Sequence, residues 1–144
     1  MMMKRWVFTL LLAMAGAMQA GELPRQLTLP TGLVITLEQG SGEPASIGSY
    51  ALRLYSGSNP RFPLDDFIAG IIMPRNGSLV AARLVDLNDD KQPELIVVAQ
   101  SAGSGGYLSA DAFTVTPEGI ESYSQVVDLP PDSDLVKALR APQE

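Results

Sequence analysis

Short runs of apolar residues alternate along this chain with clusters of Gly, Pro, Asn, Asp and Ser. In the run Gly48–Tyr55, the residues Tyr50, Leu52 and Leu54 fall on one face of an extended chain. A period of two residues is typical of a half-buried β-strand, and turn-forming residues end each run at strand length. The spacing of these runs therefore predicts an all-β domain.

The apolar runs predict about eight strands, arranged either as an antiparallel β-sandwich or as a flattened barrel. The clearest of them are Leu33–Leu37, Gly48–Tyr55, Phe67–Met73, Leu79–Leu87, Leu95–Ala99, Leu108–Val115 and Ile120–Val127. The segment Gly21–Pro30 is interpreted as a polar entry without a strand. Near the end of the chain, Pro131–Asp134 offers helix-capping side chains before Leu135, Val136 and Leu139, which predicts a short C-terminal helix.

Asn76-Gly77 lies between two of these apolar runs. Asn-Gly is the strongest short signal for a β-hairpin, because a type I′ turn needs positive φ at both central residues. The sequence therefore predicts that Ile68–Met73 pairs with Leu79–Leu87.

The first twenty residues have the order of charges and apolar residues that is found in a secretory signal peptide. Lys4 and Arg5 precede an apolar stretch of signal-peptide length, and small residues follow it. We expect a signal peptide over residues 1–20, cleaved after Ala20 or after Ala17, and a mature β domain over residues 21–144. The apolar stretch is too short to span a membrane, and without Cys the chain cannot carry a bacterial lipid anchor.

The chain contains no Cys and no His, and acidic residues outnumber basic ones 16 to 10. These counts exclude thiol nucleophiles, disulfides and Ser-His-Asp catalysis. They also disfavour transition-metal sites and nucleic-acid partners, because phosphate binding depends on Lys and Arg. Acidic pairs such as Asp65-Asp66 fall in predicted turns, where carboxylates are ordinary, so we expect neither an enzyme nor a cofactor.

The densest carboxylate cluster, Asp86–Glu94, invites a calcium interpretation. Oxygen ligands at Asp86, Asn88 and Asp90 would suit a hard cation, and the spacing is similar to calcium-binding loops. Lys91, however, stands where such loops usually place Gly. The alternative is a turn in which Asp and Asn side chains bind their own backbone, and we favour that interpretation, with no metal.

The loop that follows the most apolar run has an unusual composition. It contains Gly103, Ser104, Gly105 and Gly106 before one large aromatic residue, Tyr107. Gly and Ser permit close backbone approach to another molecule, and Tyr supplies a rigid ring with a polar tip, as in recognition loops. From composition alone, an ordinary strand connection with a packed Tyr107 is equally consistent.

Ser104-Gly105-Gly106-Tyr107 resembles the Ser-Gly-(x)-x-Tyr motif of bacterial periplasmic lysozyme inhibitors. Together with the signal peptide, the acidic all-β chain and the Phe67–Ile72 run, it makes the whole mature chain similar to the inhibitors of invertebrate-type (i-type) lysozyme. The resemblance implies a periplasmic homodimer whose Ser104 and Tyr107 approach the catalytic carboxylates of a lysozyme, while Gly105 and Gly106 keep the loop narrow. Inhibitors of chicken-type lysozyme often carry Cys or a lipid anchor, which this chain lacks.

Two further expectations concern partners. Removal of Lys4 and Arg5 with the signal peptide leaves a net charge of −8, which would steer the protein toward a cationic lysozyme and make inhibition sensitive to salt. The loop Ser56–Pro63, with Arg61 and Phe62, is a candidate second contact, although an ordinary connection explains it equally well. The alternative function is a calcium-stabilised secreted β-module that binds glycan or cell-surface material.

Overall fold

The computed structural model describes residues 23–140, and the predicted signal peptide and its cleavage sites lie outside them. The described chain forms eight β-strands and one short helix. The elements are β1 (Gln26–Thr28), β2 (Val34–Gln39), β3 (Gly48–Tyr55), β4 (Phe67–Arg75), β5 (Ser78–Val85), β6 (Glu94–Gln100), β7 (Leu108–Thr116), β8 (Gly119–Leu129) and α1 (Leu135–Arg140).

The strands form two four-stranded antiparallel sheets, each with its strands in chain order. The first sheet has the order β1-β2-β3-β4 and the second has the order β5-β6-β7-β8. The prediction of two packed antiparallel sheets with a C-terminal helix is therefore confirmed, and the barrel alternative does not apply to the described residues. The strand β1 was not predicted, because its three residues gain order only by pairing with β2, where Leu27 lies opposite Ile35.

The predicted hairpin between Ile68–Met73 and Leu79–Leu87 is wrong. β4 pairs with β3, β5 pairs with β6, and Asn76-Gly77 links one sheet to the other. Of the two residues, only Gly77 has positive φ, at 118°, so a type I′ turn is not formed. Gly is required here for another reason: a Cβ atom at Gly77 would lie 2.1 Å from the carbonyl oxygen of Gln100.

The main core lies between the sheets, and a second core lies on the outer face of the second sheet. In β6, Leu95 and Val97 belong to the core between the sheets, while Ile96 and Val98 face the second core. β6 is thus buried on both faces, which explains why its sequence is continuously apolar rather than alternating.

α1 covers the second core with Leu135 and Leu139, as its apolar spacing predicts. Asp134 caps the helix, because its Oδ1 atom accepts a hydrogen bond of 3.1 Å from the amide of Lys137. Ser124 in β8 donates a hydrogen bond of 2.8 Å from its hydroxyl group to the carbonyl of Leu139, which fixes the end of the helix to the sheet. With only six residues, this helix is far too short to cross a membrane, and residues 23–140 contain no membrane-spanning helix.

Candidate functional site

The loop that joins β6 to β7 brings Ser104, Gly105, Gly106 and Tyr107 together at one end of the sandwich. Ser104 and Gly105 are exposed, and the Tyr107 side chain is 48% exposed. The Tyr107 ring is therefore half-exposed and is not enclosed in the core. Within the described chain, neither the Ser104 hydroxyl nor the Tyr107 hydroxyl forms a hydrogen bond, so both are available to a partner.

The loop is closed at its base by backbone hydrogen bonds. The amide of Ser101 donates to the carbonyl of Tyr107 at 2.8 Å, and the amide of Gly106 donates to the carbonyl of Gly103 at 3.3 Å. Gly106 has φ of 60°, in the left-handed region that Gly adopts without strain.

Gly105 has a different role in the loop. A Cβ atom at this position would lie 2.5 Å from Cε2 of the Tyr107 ring. The absence of a side chain therefore lets the ring lie against the loop backbone. The two central glycines thus make the loop narrow in different ways. Gly106 adopts a left-handed backbone conformation, and Gly105 leaves space for the Tyr107 ring.

The site is an exposed loop and not a cleft. A cavity of about 560 Å³ lies at one edge between the sheets, lined by residues that include Tyr50, Leu79, Val97 and Asp111, and Ser104–Tyr107 takes no part in it. An exposed, narrow loop is suited to entering the cleft of another molecule, whereas it provides no enclosed volume for a small substrate.

Buried Arg75 forms an ion pair with half-buried Glu43 near the same end of the sandwich, and sequence reasoning missed it. The Arg75 side chain is 1% exposed, and its Nη2 atom lies 3.3 Å from Oε1 of Glu43. Hydrogen bonds from the hydroxyl and amide of Ser49, together with the Arg75 guanidinium, hold the pKa of Glu43 below its usual value. The guanidinium also donates to four backbone carbonyls, which are those of Pro44, Ala45, Ser49 and Gly77.

This network fixes the β2–β3 loop and the linker between the sheets. A single Arg in a strand gives no local signal for such a role, since its partners lie up to 32 residues away in the chain. Only the close spacing of Gly and Pro around Glu43 marks the segment as a loop that needs support.

The loop that contains Asp86, Asn88 and Asp90 uses its side chains to bind its own backbone. Asp86 Oδ2 accepts a hydrogen bond of 2.8 Å from the amide of Lys91, and Asn88 Oδ1 accepts one of 3.2 Å from the amide of Asp90. Partial burial alone would raise the pKa of Asp86, but hydrogen bonds to its carboxylate from the backbone amides of the loop, first among them that of Lys91, lower it. Lys91 adopts the positive φ that Gly usually supplies, at 71°. Residues 23–140 contain no group of three or more acidic side chains placed to hold a metal ion.

The candidate second contact, Ser56–Pro63, lies at the other end of the first sheet. This loop leaves β3 at Tyr55, which pairs with Phe67 at the start of β4. The Ser104–Tyr107 loop lies near the opposite end of β4, where the linker brings Ser78 beside Gln100. The two loops are thus separated by the length of β4, so the structure does not bring them together.

Comparisons with known proteins agree with the fold and with the resemblance to the inhibitors of i-type lysozyme. Residues 22–143 match the family model described as periplasmic lysozyme inhibitor of I-type lysozyme. The crystal structure of PliI-Ah, the periplasmic lysozyme inhibitor of I-type lysozyme from Aeromonas hydrophila, is 62% identical over 79% of this chain and 96% of its own, with a TM-score of 0.77.

A second solved structure shows A. hydrophila PliI in complex with the lysozyme of Meretrix lusoria. It is 59% identical over 82% of this chain and 95% of its own, also with a TM-score of 0.77. A comparison with curated protein sequences finds no significant match. The match to the family model over all of the described residues, at this level of identity to solved members, places the chain in the family of periplasmic lysozyme inhibitors of I-type lysozyme, which are inhibitors and not enzymes.

Proposed function

We propose that this protein inhibits i-type lysozyme by inserting the Ser104–Tyr107 loop into the active-site cleft of the enzyme. The observation that carries the proposal is the exposed pair of hydroxyl groups on Ser104 and Tyr107, which form no hydrogen bond within residues 23–140. A relative that is 59% identical forms a complex with a lysozyme. The family is periplasmic, and we further propose export by the signal peptide over residues 1–20.

Hydroxyl groups suit a site that contains catalytic carboxylates. Each hydroxyl can donate one hydrogen bond to a carboxylate, and hydrogen bonds to charged groups are stronger than those between neutral groups. The narrow backbone at Gly105 and Gly106 lets the loop enter without side chains that would collide with the cleft walls. Inhibition then needs no chemistry from the inhibitor, since occupation of the cleft excludes the substrate.

The experiment is a titration of i-type lysozyme activity with the purified mature protein. We expect loss of activity near one inhibitor chain per enzyme, and inhibition about 10- to 100-fold weaker for Ser104→Ala and for Tyr107→Ala. Matched controls are Ser122→Ala and Tyr123→Ala, which replace the same residue types at exposed positions of β8. Full inhibition by the loop variants would place the contact elsewhere on the chain.

The oligomeric state and the class of lysozyme are part of the same proposal. The mature protein is proposed to be a homodimer, which sedimentation at micromolar concentration would measure. It is proposed to act on i-type in preference to chicken-type lysozyme. Stronger inhibition of a chicken-type enzyme in the parallel titration would overturn this preference.

A further inference from the structure

The side chain of Gln100, at the base of the Ser104–Tyr107 loop, is hydrogen-bonded to the loop backbone. Gln100 is the last residue of β6, and its Nε2 atom donates a hydrogen bond of 3.1 Å to the carbonyl of Gly106. A Cβ atom at Gly106 would lie 3.1 Å from the same nitrogen, so the amide group packs directly against this backbone unit. Gly106 immediately precedes Tyr107, and the contact therefore fixes the backbone that carries the aromatic ring.

Gln100 is itself held by the linker between the two sheets. The backbone of Gly77 packs closely on the backbone of Gln100. A Cβ atom at Gly77 would lie 2.1 Å from the backbone carbonyl oxygen of Gln100 and 2.9 Å from Cα of Ser101. The linker is fixed in turn by Arg75, whose Nη1 atom donates a hydrogen bond of 2.8 Å to the carbonyl of Gly77. The base of the loop is thus linked, through Gly77, to the Arg75 side chain, which is 1% exposed.

Within the loop itself, few interactions restrict the backbone. Apart from the hydrogen bond that closes its base, the described loop has one long internal hydrogen bond, of 3.3 Å, between Gly106 and Gly103. Gly-rich backbone loses more conformational entropy on ordering than any other kind, and a loop that is ordered before binding avoids that cost during association. An anchor outside the loop is therefore needed to keep Tyr107 and Ser104 in one arrangement.

We propose that Gln100 is the positioning residue of the inhibitory loop, and that Arg75 supports it through Gly77. Gln100 acts through the loop and makes no contact of its own with the lysozyme. The inference rests on the proposed function for its effect on inhibition, but the ordering of the loop by Gln100 is a property of the free protein.

The test compares Gln100→Leu with the matched variant Gln125→Leu. Gln125 also donates a single hydrogen bond from its side chain, to Asp111 at 2.8 Å, so both variants lose one amide and one hydrogen bond. We expect inhibition about 3- to 10-fold weaker for Gln100→Leu and unchanged for Gln125→Leu. Amide hydrogen exchange in residues 101–107 of the free protein should become faster for Gln100→Leu alone, at similar melting temperature.

A double-mutant cycle separates positioning from direct contact. If Gln100 acts by presenting Tyr107, then adding Gln100→Leu to Tyr107→Ala weakens inhibition by a smaller factor than it does in the wild type. Equal factors in both backgrounds, or equal losses for Gln100→Leu and Gln125→Leu, would overturn the inference.

The two proposals fail in distinguishable ways. If Ser104→Ala and Tyr107→Ala weaken inhibition while Gln100→Leu inhibits like the wild type, the positioning role is wrong and the proposed function stands. If the wild type does not inhibit i-type lysozyme, the proposed function is wrong, and the exchange rates of residues 101–107 alone decide whether Gln100 orders the loop.

Discussion

The hydroxyl group of Tyr50 in β3 lies 2.5 Å from Oδ2 of Asp111 in β7, and this hydrogen bond joins the two sheets across the core. Tyr50 is 1% exposed, and Asp111 also accepts a hydrogen bond from Gln125 at 2.8 Å. Burial, together with the Asp111 carboxylate, raises the pKa of Tyr50 far above its usual value. Tyr50 therefore stays protonated at neutral pH and donates this hydrogen bond.

Removal of this link is expected to destabilise the sandwich. Tyr50→Phe keeps the ring in the core and deletes only the hydroxyl donor, so the free energy of unfolding should fall by about 1–3 kcal/mol. Urea denaturation measures the change, and Tyr123→Phe on the exposed face of β8 serves as the matched control. A Tyr50→Phe protein as stable as the wild type would show that the link between the sheets contributes nothing.

Gly105→Ala is expected to weaken inhibition without unfolding the protein. The added Cβ atom would lie 2.5 Å from the Tyr107 ring, so the ring must move away from the loop. Gly103→Ala is the matched control, because a Cβ atom there meets nothing within 4 Å. Inhibition constants and melting temperatures of both variants check the prediction, and equal inhibition by the two would contradict the packing of Tyr107 on Gly105.

Association with a cationic lysozyme is expected to slow as salt is added. Removal of the proposed signal peptide would leave a net charge of −8, and screening of exposed charges shortens the range of attraction to about 10 Å at 0.1 M ionic strength. The association rate constant should fall with increasing salt, whereas the dissociation rate constant should change much less. Surface plasmon resonance measures both, and an association rate independent of salt would exclude electrostatic steering.

Glu94→Gln is expected to stabilise the protein at neutral pH. Glu94 is 2% exposed, and its Oε1 atom accepts a hydrogen bond of 2.7 Å from the amide of Leu87, which a Gln oxygen can still accept. Burial raises the pKa of Glu94, the Leu87 amide opposes the shift, and the Asp90 and Asp86 charges add to it.

The sign of the pH dependence follows from proton binding. Between the usual pKa near 4.5 and the raised pKa of the folded protein, the unfolded chain loses the Glu94 proton while the folded chain keeps it. The wild type should therefore lose stability as pH rises from about 4.5 through the raised pKa, and Glu94→Gln should not share this loss. Denaturation curves between pH 4 and pH 7.5 test it, with exposed Glu118→Gln as the control. Parallel profiles for wild type and Glu94→Gln would contradict the prediction.

Calcium is expected to leave the stability unchanged. The carboxylate of Asp86 already accepts hydrogen bonds from the amides of Lys91 and Asp90, so a cation would have to displace them. The melting temperature should be the same in millimolar calcium as in a chelator. A rise that saturates with calcium, and that Asp86→Asn removes, would instead support a calcium-stabilised module.

Local sequence patterns were sufficient for most of the strands but not for the way they pair. Gly48–Tyr55 was predicted with the observed bounds, because its alternation reflects one buried face. The prediction for Asn76-Gly77 was wrong because this dipeptide occurs both in hairpin turns and in linkers between sheets. Here Gly is required because the backbone of Gln100, from another part of the chain, packs against Gly77. β1 was missed because three residues carry too little periodicity.

The four residues of the loop were predicted from a short motif, and they lie in the connection between β6 and β7. The residues that support them could not be found in this way. Gln100 and Arg75 act through backbone carbonyls, and a carbonyl is present at every residue, so no side-chain pattern records the interaction.

The order of strands within the two sheets also bears on how the protein folds. Every strand pair in residues 23–140 joins neighbours in the chain, and Gly77 carries the chain from one completed meander into the next. Sandwiches usually fold slowly because strands that are distant in the chain must meet, at a cost in chain entropy, before their pairing stabilises the structure. Here no loop between paired strands is longer than eleven residues, so each meander can form from strands that are neighbours in the chain, and the distant encounters left in folding are the packing of the two sheets and the docking of α1 on the second sheet.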